Sequence, residues 1–122
     1  MKFVSINVEG LSSKINDSDF LNYISNFDIV CVLETFWESD LTPLNILSVF
    51  KPFFSKAIKI STKGRCTGGV IVYVKRNILK AYNIKEISCK TNSCVIFRFS
   101  NISNEPVKKH VLFVFTYIQP KH

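Results

Sequence analysis

The fold of this chain is decided by the stretch Phe27–Trp37, FDIVCVLETFW. Its centre is the apolar run Ile29–Leu33, which Asp28 precedes and Glu34 ends. A run of about four to eight residues rich in Val and Ile is typical of a strand covered on both faces. A carboxylate that directly follows such a strand is held in place by the core behind it. Glu34 is therefore a candidate site residue, although a lone glutamate more often simply faces water.

The residues at the amino terminus predict another strand. Lys2–Val8 alternates apolar and polar residues, and this alternation places Asn7 and Glu9 on the same face near the end of the strand. Gly10 permits a sharp exit from the strand. Without further context this is a strand that runs into a polar turn.

A short helix is predicted between these two strands, ending near Asn26. Its start can be capped by Asp17, Ser18 or Asp19. Its apolar positions at helical spacing are Phe20, Ile24 and Phe27. A strand–helix–strand order favours parallel pairing, which brings the polar ends of both strands to one edge, where open α/β sheets bind ligands. The residues that can converge there are Asn7, Glu9 and Glu34.

The rest of the chain predicts strands separated by polar turns. Residues 35–52 have no clear period and predict a loop, and the turn 61–69, STKGRCTGG, lacks the residue order of a Walker loop. The further predicted strands cover 53–60, 70–74, 81–88, 93–99 and 111–118. The prediction is one α/β unit whose sheet is mostly antiparallel after the first two strands.

Length and composition set limits on the function class. The chain has 122 residues and 47% hydrophobic residues, which suits one domain with a real core and argues against disorder. No apolar run approaches the ~20 residues of a membrane span, and the amino terminus does not resemble a signal peptide. The four cysteines form no C-x-x-C pair, so neither a zinc site nor a disulfide framework is expected. We therefore expect an intracellular protein without a membrane segment, with the nucleus as one open location.

Charge is divided unevenly along the chain. The net charge is +7, with two basic and seven acidic residues in 1–50 and fourteen basic and two acidic residues in 51–122. The basic part can follow a phosphate backbone, and Lys63 and Arg65 are candidate nucleic-acid contacts. The alternative is that an AT-rich coding sequence produced the excess of Lys, which outnumbers Arg thirteen to three.

The last predicted strand ends near Tyr117. A tyrosine at the end of a buried strand usually keeps its ring in the core and gives its hydroxyl a polar partner. The other interpretation is that the hydroxyl contacts a substrate phosphate. The spacing does not decide between them.

Four segments, in order along nearly the whole chain, resemble motifs of the endonuclease/exonuclease/phosphatase superfamily, especially the endonuclease domains of LINE-type retrotransposons. They are SINVEGL at 5–11, FDIVCVLETFW at 27–37, GRCTGGVIVYV at 64–74 and VFTYIQP at 114–120.

The resemblance implies metal-dependent cleavage of phosphodiester bonds, with DNA as the substrate of the complete domain. Asn7 matches an asparagine that positions the phosphate or the attacking water, and Tyr117 matches a tyrosine that contacts the scissile phosphate. Glu34 matches the glutamate that binds the catalytic cation, Mg²⁺ (or Mn²⁺). Glu9 stands where relatives carry Asp, Asn or another polar residue, and is taken as a second ligand. Hard oxygen ligands of this kind suit magnesium.

The chain also departs from the family pattern. It lacks the later G-D-F-N-like and S-D-H-like segments, and neither His110 nor His122 has an acidic neighbour that would orient it as a general base. The family fold is a four-layer αββα sandwich, so residues 1–122 are expected to be its N-terminal half: one mixed sheet with a covering helix. One face of that sheet would then lack its partner layer, which predicts exposed apolar surface and self-association.

Two classes of function stay open. The chain is either half of a DNA endonuclease, inactive as this truncated chain, or a non-catalytic remnant that binds nucleic acid or protein. A phosphatase acting on lipid or small phosphoesters shares the same fold and is a third interpretation. Whether the chain is an enzyme is left open by its sequence.

Overall fold

The computed structural model describes residues 1–14, 16–37, 49–55, 68–87, 94–101 and 110–116. Within these ranges the chain forms seven strands, two short α-helices and a 3₁₀ turn at Leu11–Lys14. The strands are β1 (Phe3–Asn7), β2 (Ile29–Leu33), β3 (Phe50–Ser55), β4 (Val70–Lys75), β5 (Tyr82–Ile87), β6 (Cys94–Asn101) and β7 (His110–Thr116). The helices are α1 (Ser18–Ile24) and α2 (Arg76–Ala81).

The first sheet has the strand order β1-β2-β4-β3. β1 and β2 run parallel with Asn7 opposite Leu33, which confirms the predicted pairing. β4 runs antiparallel to both its neighbours and places Val70 opposite Leu33 and Ser55. The ends of β1, β2 and β3 and the start of β4 therefore share one edge. We call this the carboxylate edge, defined by Asn7, Leu33, Ser55 and Val70.

Helix α1 covers one face of the first sheet. The helix begins at Ser18 because Asp17 caps it, with Oδ1 accepting hydrogen bonds from the N–H groups of Asp19 and Phe20, both at 3.1 Å. Ile24, the last residue of the helix, is fully buried. The core on this face comprises Val8, Leu11, Ile24, Val30, Val32, Phe50, Ile71 and Tyr73.

The second sheet covers the other face of the first. Its strands are antiparallel in the order β5-β6-β7. The core between the sheets comprises Ile29, Cys31, Phe53, Val70, Val72, Val74, Val95, Phe97 and Phe99. The rings of Phe53 and Phe97 meet edge to face with their centroids 4.5 Å apart. The described residues thus form three layers: α1, the first sheet and the second sheet.

This arrangement confirms the α/β fold class and corrects two details. The prediction of one mixed sheet is wrong, because β5, β6 and β7 form a sheet of their own. The prediction that one face of the first sheet lacks a partner layer is also wrong, because β2 and β4 are apolar on both faces and the second sheet covers the face that α1 leaves. Four of the exposed large apolar side chains among the described residues lie on the second sheet, namely Ile87, Val111, Leu112 and Val114, and the others are Met1, Phe3, Tyr23 and Val49.

Two elements differ from the sequence prediction. β3 begins at Phe50, so residues 50–52 belong to a strand and not to a loop. Residues 76–81, RNILKA, form the helix α2, because good helix formers directly follow β4. The predicted strand positions 56–60, 88, 93 and 117–118 lie outside the described residues. None of the described helices has the length and apolarity that a membrane crossing requires.

Candidate functional site

Three chain segments meet beyond the carboxylate edge. Residues 8–11 continue from β1, residues 34–37 continue from β2, and residues 68–69 lead into β4. Their backbone hydrogen bonds run from Gly10 N–H to Glu34 O (2.8 Å), from Leu11 N–H to Thr35 O (2.8 Å), from Thr35 N–H to Gly69 O (3.2 Å) and from Phe36 N–H to Gly68 O (3.1 Å). The segment that carries Glu34 is therefore held from both sides.

Asn7 and Glu9 lie in one tight turn at the end of β1. The Asn7 Oδ1 atom accepts a hydrogen bond from the N–H of Glu9 at 3.1 Å, which closes an Asx turn. Both residues are exposed. The alternation predicted that they share a face of the strand, whereas the strand ends at Asn7 and the turn brings Glu9, with φ of +47°, beside it.

Glu34 is the first residue after β2 and is half-buried. Because Asn7 lies opposite Leu33 in the parallel pair, Glu34 follows one residue beyond the end of that pairing. Neighbouring strands are about 4.8 Å apart, so Asn7, Glu9 and Glu34 occupy adjacent strand ends at the carboxylate edge. This is the convergence that the sequence predicted, while the chemical roles of the three residues stay predictions.

Left-handed backbone conformations are concentrated at this edge. In the described part of the chain, the residues other than glycine with positive φ are Glu9 (+47°), Glu34 (+52°) and Phe36 (+52°). An L-residue in this conformation costs roughly 1–2 kcal/mol. Strain of this kind is retained mainly at functional sites. The backbone thus gives a second reason, independent of side-chain type, to treat this edge as the site.

Thr35 is a site residue that the sequence interpretation missed. It is 1% exposed and is the buried polar residue among the described positions. Its Oγ1 accepts a hydrogen bond from the N–H of Trp37 at 3.3 Å. A small hydroxyl residue between a buried strand and an aromatic pair is a signal that could have drawn attention to it.

Several predicted site residues lie elsewhere or outside the description. Tyr117, Lys63 and Arg65 lie outside the described residues, and so does His122. His110 is exposed at the start of β7, opposite Ser100.

His110 lies far from the carboxylate edge. Ser100 and Val111 line a cavity of about 350 Å³ together with Phe3, at the start of β1. Because Asn7 is at the other end of β1, roughly 13 Å further on, His110 lies toward the opposite end of the molecule from Glu34.

The side chains at the carboxylate edge offer only oxygen atoms as ligands. Within the described residues there is no cluster of three or more His, Cys, Asp or Glu side chains that could hold a metal. The edge provides the carboxylates of Glu9 and Glu34 and the amide oxygen of Asn7. Magnesium commonly takes one or two carboxylates and completes its shell with water and substrate phosphate. These residues fit Mg²⁺ and do not fit a structural zinc site, which needs sulfur or nitrogen.

Two solved structures have an architecture similar to that of this chain. The chain is similar to AP endonuclease LMAP from Leishmania major, with a TM-score of 0.71 and 18% identity over 97% of this chain and 40% of that one. It is also similar to the catalytic domain of Xenopus laevis APE2, with a TM-score of 0.64 and 18% identity over 96% of this chain and 45% of that one. The fold of this chain is therefore similar to that of these two structures. No family model and no curated protein matches the sequence.

The chain spans less than half the length of either structure, at 40% and 45%. This coverage fits one half of a sandwich built from two halves, and it agrees with the predicted N-terminal half of an αββα fold. At 18% identity the likeness describes the fold and leaves the chemistry to be argued from the site.

Proposed function

We propose that residues 1–122 are the N-terminal half of a metal-dependent DNA endonuclease of the retroelement type. The observation that carries the proposal is the convergence of Asn7, Glu9 and Glu34 on adjacent strand ends of a nuclease-like fold. One of the matched structures is an AP endonuclease by name, so the fold is one on which an endonuclease can be built. The retroelement type is supported by the order of the four motifs in the sequence.

The carboxylates and the cation have separate tasks in this proposal. Glu34 supplies the principal carboxylate ligand to Mg²⁺ (or Mn²⁺), and Glu9 supplies the second from the neighbouring turn. When bound, the cation polarises a phosphoryl oxygen and neutralises charge that develops there. The half-buried setting of Glu34 limits the directions in which its carboxylate can point.

The neutral polar groups orient the substrate. The Asn7 Oδ1 atom accepts a hydrogen bond from Glu9 N–H, and the amide NH₂ is proposed to donate to a phosphate oxygen or to the attacking water. Tyr117, which follows Thr116 of β7 in the chain, is assigned to donate a hydrogen bond from its hydroxyl to the scissile phosphate. Both contacts hold the phosphodiester in place without changing their own charge.

Positive charge in the sequence between β3 and β4 favours DNA as the substrate. The connection between β3 and β4 begins after Ser55 and ends before Val70, and these two residues are opposite each other at the carboxylate edge. Its sequence over 56–67 contains four basic residues and no acidic one. Lys63 and Arg65 belong to this connection and are proposed to contact the phosphate backbone.

A general base at the carboxylate edge is proposed to come from a second half. His110 lies toward the opposite end of the first sheet, as the cavity it adjoins shows. We therefore propose that the histidine and its acidic partner are supplied by another segment, and that residues 1–122 alone do not cleave DNA. The position of His110 away from the carboxylate edge also favours the alternative that the chain is a non-catalytic module that binds nucleic acid or protein.

Two further proposals concern association and location. The exposed side chains Leu112 and Val114 lie on one face of β7 and are apolar, so self-association through the second sheet is expected. Light scattering after size-exclusion chromatography tests this, and a monomer at high concentration would contradict it. Action on nuclear DNA would place the protein in the nucleus, and an entirely cytoplasmic fluorescent fusion would contradict that location.

The test of function combines DNA binding with plasmid nicking. The chain and its Glu34→Gln variant are compared on supercoiled plasmid and on a labelled duplex, with Mg²⁺, with Mn²⁺ and with EDTA. We expect no nicking, and duplex binding by the wild-type chain that is tighter with the cation than with EDTA. EDTA leaves the two carboxylates uncompensated beside the phosphates, so binding weakens.

The outcomes separate the two candidate functions. Cation-dependent nicking that Glu34→Gln abolishes would establish an endonuclease and contradict the need for a second half. DNA binding whose affinity is unchanged by the cation and by Glu34→Gln would favour the binding module. A matched control is Glu86→Gln, which changes the same charge at an exposed position on β5.

A further inference from the structure

We propose that Thr35 is a positioning residue for Glu34, because its buried hydroxyl closes the turn that holds Glu34 and Phe36 in the left-handed conformation. The inference rests on the proposed function only in taking the Glu34 carboxylate as the group that the turn positions.

The burial of Thr35 is the first argument. At 1% exposure its hydroxyl has left water, and a buried hydroxyl is unfavourable unless a hydrogen bond compensates it. Valine has nearly the same shape and would fill the same space without that cost. The compensating bond is the one that Oγ1 accepts from Trp37 N–H at 3.3 Å. The hydroxyl is thus bound to the backbone two residues further along, which is the geometry of a turn.

The backbone on either side of Thr35 is the second argument. Glu34 and Phe36 both have φ of +52°. A bulky residue such as Phe rarely adopts this conformation without a constraint. The bond from Trp37 N–H to Oγ1 spans Phe36 and supplies such a constraint. The alternation of two left-handed residues around a buried Thr35 turns the chain sharply at the point where the carboxylate leaves the strand.

The neighbouring segments are the third argument. The N–H of Thr35 donates a hydrogen bond to Gly69 O, and the carbonyl of Thr35 accepts a hydrogen bond from Leu11 N–H. Gly68, Gly69 and Gly10 have φ of +71°, +91° and +109°. A Cβ atom at Gly10 would lie 3.4 Å from Cδ2 of Phe36, so the ring rests directly on that glycine. The Gly-rich turn that precedes β4 thereby gains a role, since its last two carbonyls fix the segment that carries Glu34.

The experiment compares Thr35→Val, which removes only the hydroxyl, with Thr35→Ser, which keeps it. In each isotope-labelled chain, the three-bond HN–Hα coupling and the Cα and Cβ chemical shifts of Glu34 and Phe36 report the sign of φ. We expect the left-handed signature in the wild-type chain and in Thr35→Ser, and its loss in Thr35→Val. A residue with a merely structural role would lower the melting temperature without changing these values. A left-handed signature that persists in Thr35→Val would overturn the proposal.

A second readout ties the turn to the carboxylate. Mn²⁺ is titrated into each chain, and the broadening of the amide signals of residues 34–36 is followed. Thr35→Val should need about fivefold more Mn²⁺, since a hydrogen bond is worth about 1 kcal/mol, while Thr35→Ser should match the wild type. Equal Mn²⁺ dependence in all three chains would overturn the positioning role. If the wild-type chain shows no broadening there but the φ signatures behave as expected, the proposed function fails and the control of the turn by Thr35 stands.

Discussion

Glu34 has a backbone conformation that suits glycine, with φ of +52°. Glu34→Gly should therefore keep or raise the free energy of unfolding, by up to about 1 kcal/mol, because relief of strain exceeds the added chain entropy. Glu34→Gln should leave stability unchanged. Both variants should lose cation-dependent DNA binding. Chemical denaturation and duplex titration measure the two effects, and a strongly destabilised Glu34→Gly would mean that packing maintains the residue.

Asn7 is exposed, so its side chain can be changed without disturbing the core. Asn7→Ala removes the bond from Glu9 N–H and should cost about 0.5–1.5 kcal/mol of stability at most. Cation-dependent DNA binding should weaken far more than that loss implies. Asn7→Asp is a companion variant, because it keeps the acceptor for the turn while it removes the amide donor and adds a negative charge. A large drop in melting temperature for Asn7→Ala would assign the residue a structural role.

The apolar pattern placed Asn7, Glu9 and Glu34 near the ends of two neighbouring strands, and the structure confirms this placement, while their roles stay predictions. Thr35 and the left-handed conformations were beyond that reasoning. They depend on bonds to Gly68 and Gly69, more than thirty residues away in the chain. A single sequence gives no direct sign of which distant carbonyl will accept such a bond.

At the level of elements, three aromatic side chains, Phe53, Phe97 and Phe99, belong to the buried core between the two sheets. Phe97 is fully buried and its ring lies 4.5 Å from that of Phe53 and 6.1 Å from that of Phe115. Phe97→Ala should cost about 3–5 kcal/mol of stability. Arg98→Ala, at the next position and on the exposed face, should change stability by no more than about 0.5 kcal/mol. Urea unfolding compares them, and similar effects would contradict the packing of the second sheet on the first.

Burial of β2 also predicts a pH dependence. It raises the pKa of the Cys31 thiol from 9.0 to about 11, against a smaller lowering by a hydrogen bond with Ser5. As the pH rises, the Cys31 thiol therefore loses its proton in the unfolded chain before it does so in the folded chain. The contribution to stability is complete below pH 9 and is lost as the pH rises toward about 11, by roughly 2–3 kcal/mol.

The matched control for this effect is Cys31→Ala, which keeps every other titrating group. Unfolding in guanidinium at pH 8, 9 and 10 should show a steeper loss of stability for the wild-type chain than for the variant. Parallel pH profiles would mean that the thiol is not shielded from water in the folded protein.

Most elements followed from local pattern. The apolar run of β2 and the parallel pairing with β1 were predicted correctly, as was β4 to within one residue. The division into two sheets was not, because alternation says which residues share a face and not which sheet a strand joins. Helix α2 was missed because six residues are too few to show a helical period.

At the scale of the whole molecule, the described residues form three layers whose fold is similar to part of the two solved structures. Both faces of the first sheet are covered, and four of the eight exposed large apolar side chains among the described residues lie on the second sheet. The sequence motifs predicted an α/β sandwich fold, which the structural likeness supports. The binding of a divalent cation at the carboxylate edge is the proposal on which the chemistry depends.

Paramagnetic broadening of amide NMR signals by Mn²⁺ is the experiment that tests this cation site. Amide signals across the labelled chain are recorded as Mn²⁺ is added, and the same titration is run on Glu34→Gln and Glu86→Gln. We expect broadening centred on residues 7–9 and 34–36, reversed by excess Mg²⁺, lost in Glu34→Gln and kept in Glu86→Gln. Broadening spread evenly over all exposed carboxylates, or unchanged in Glu34→Gln, would contradict the proposal.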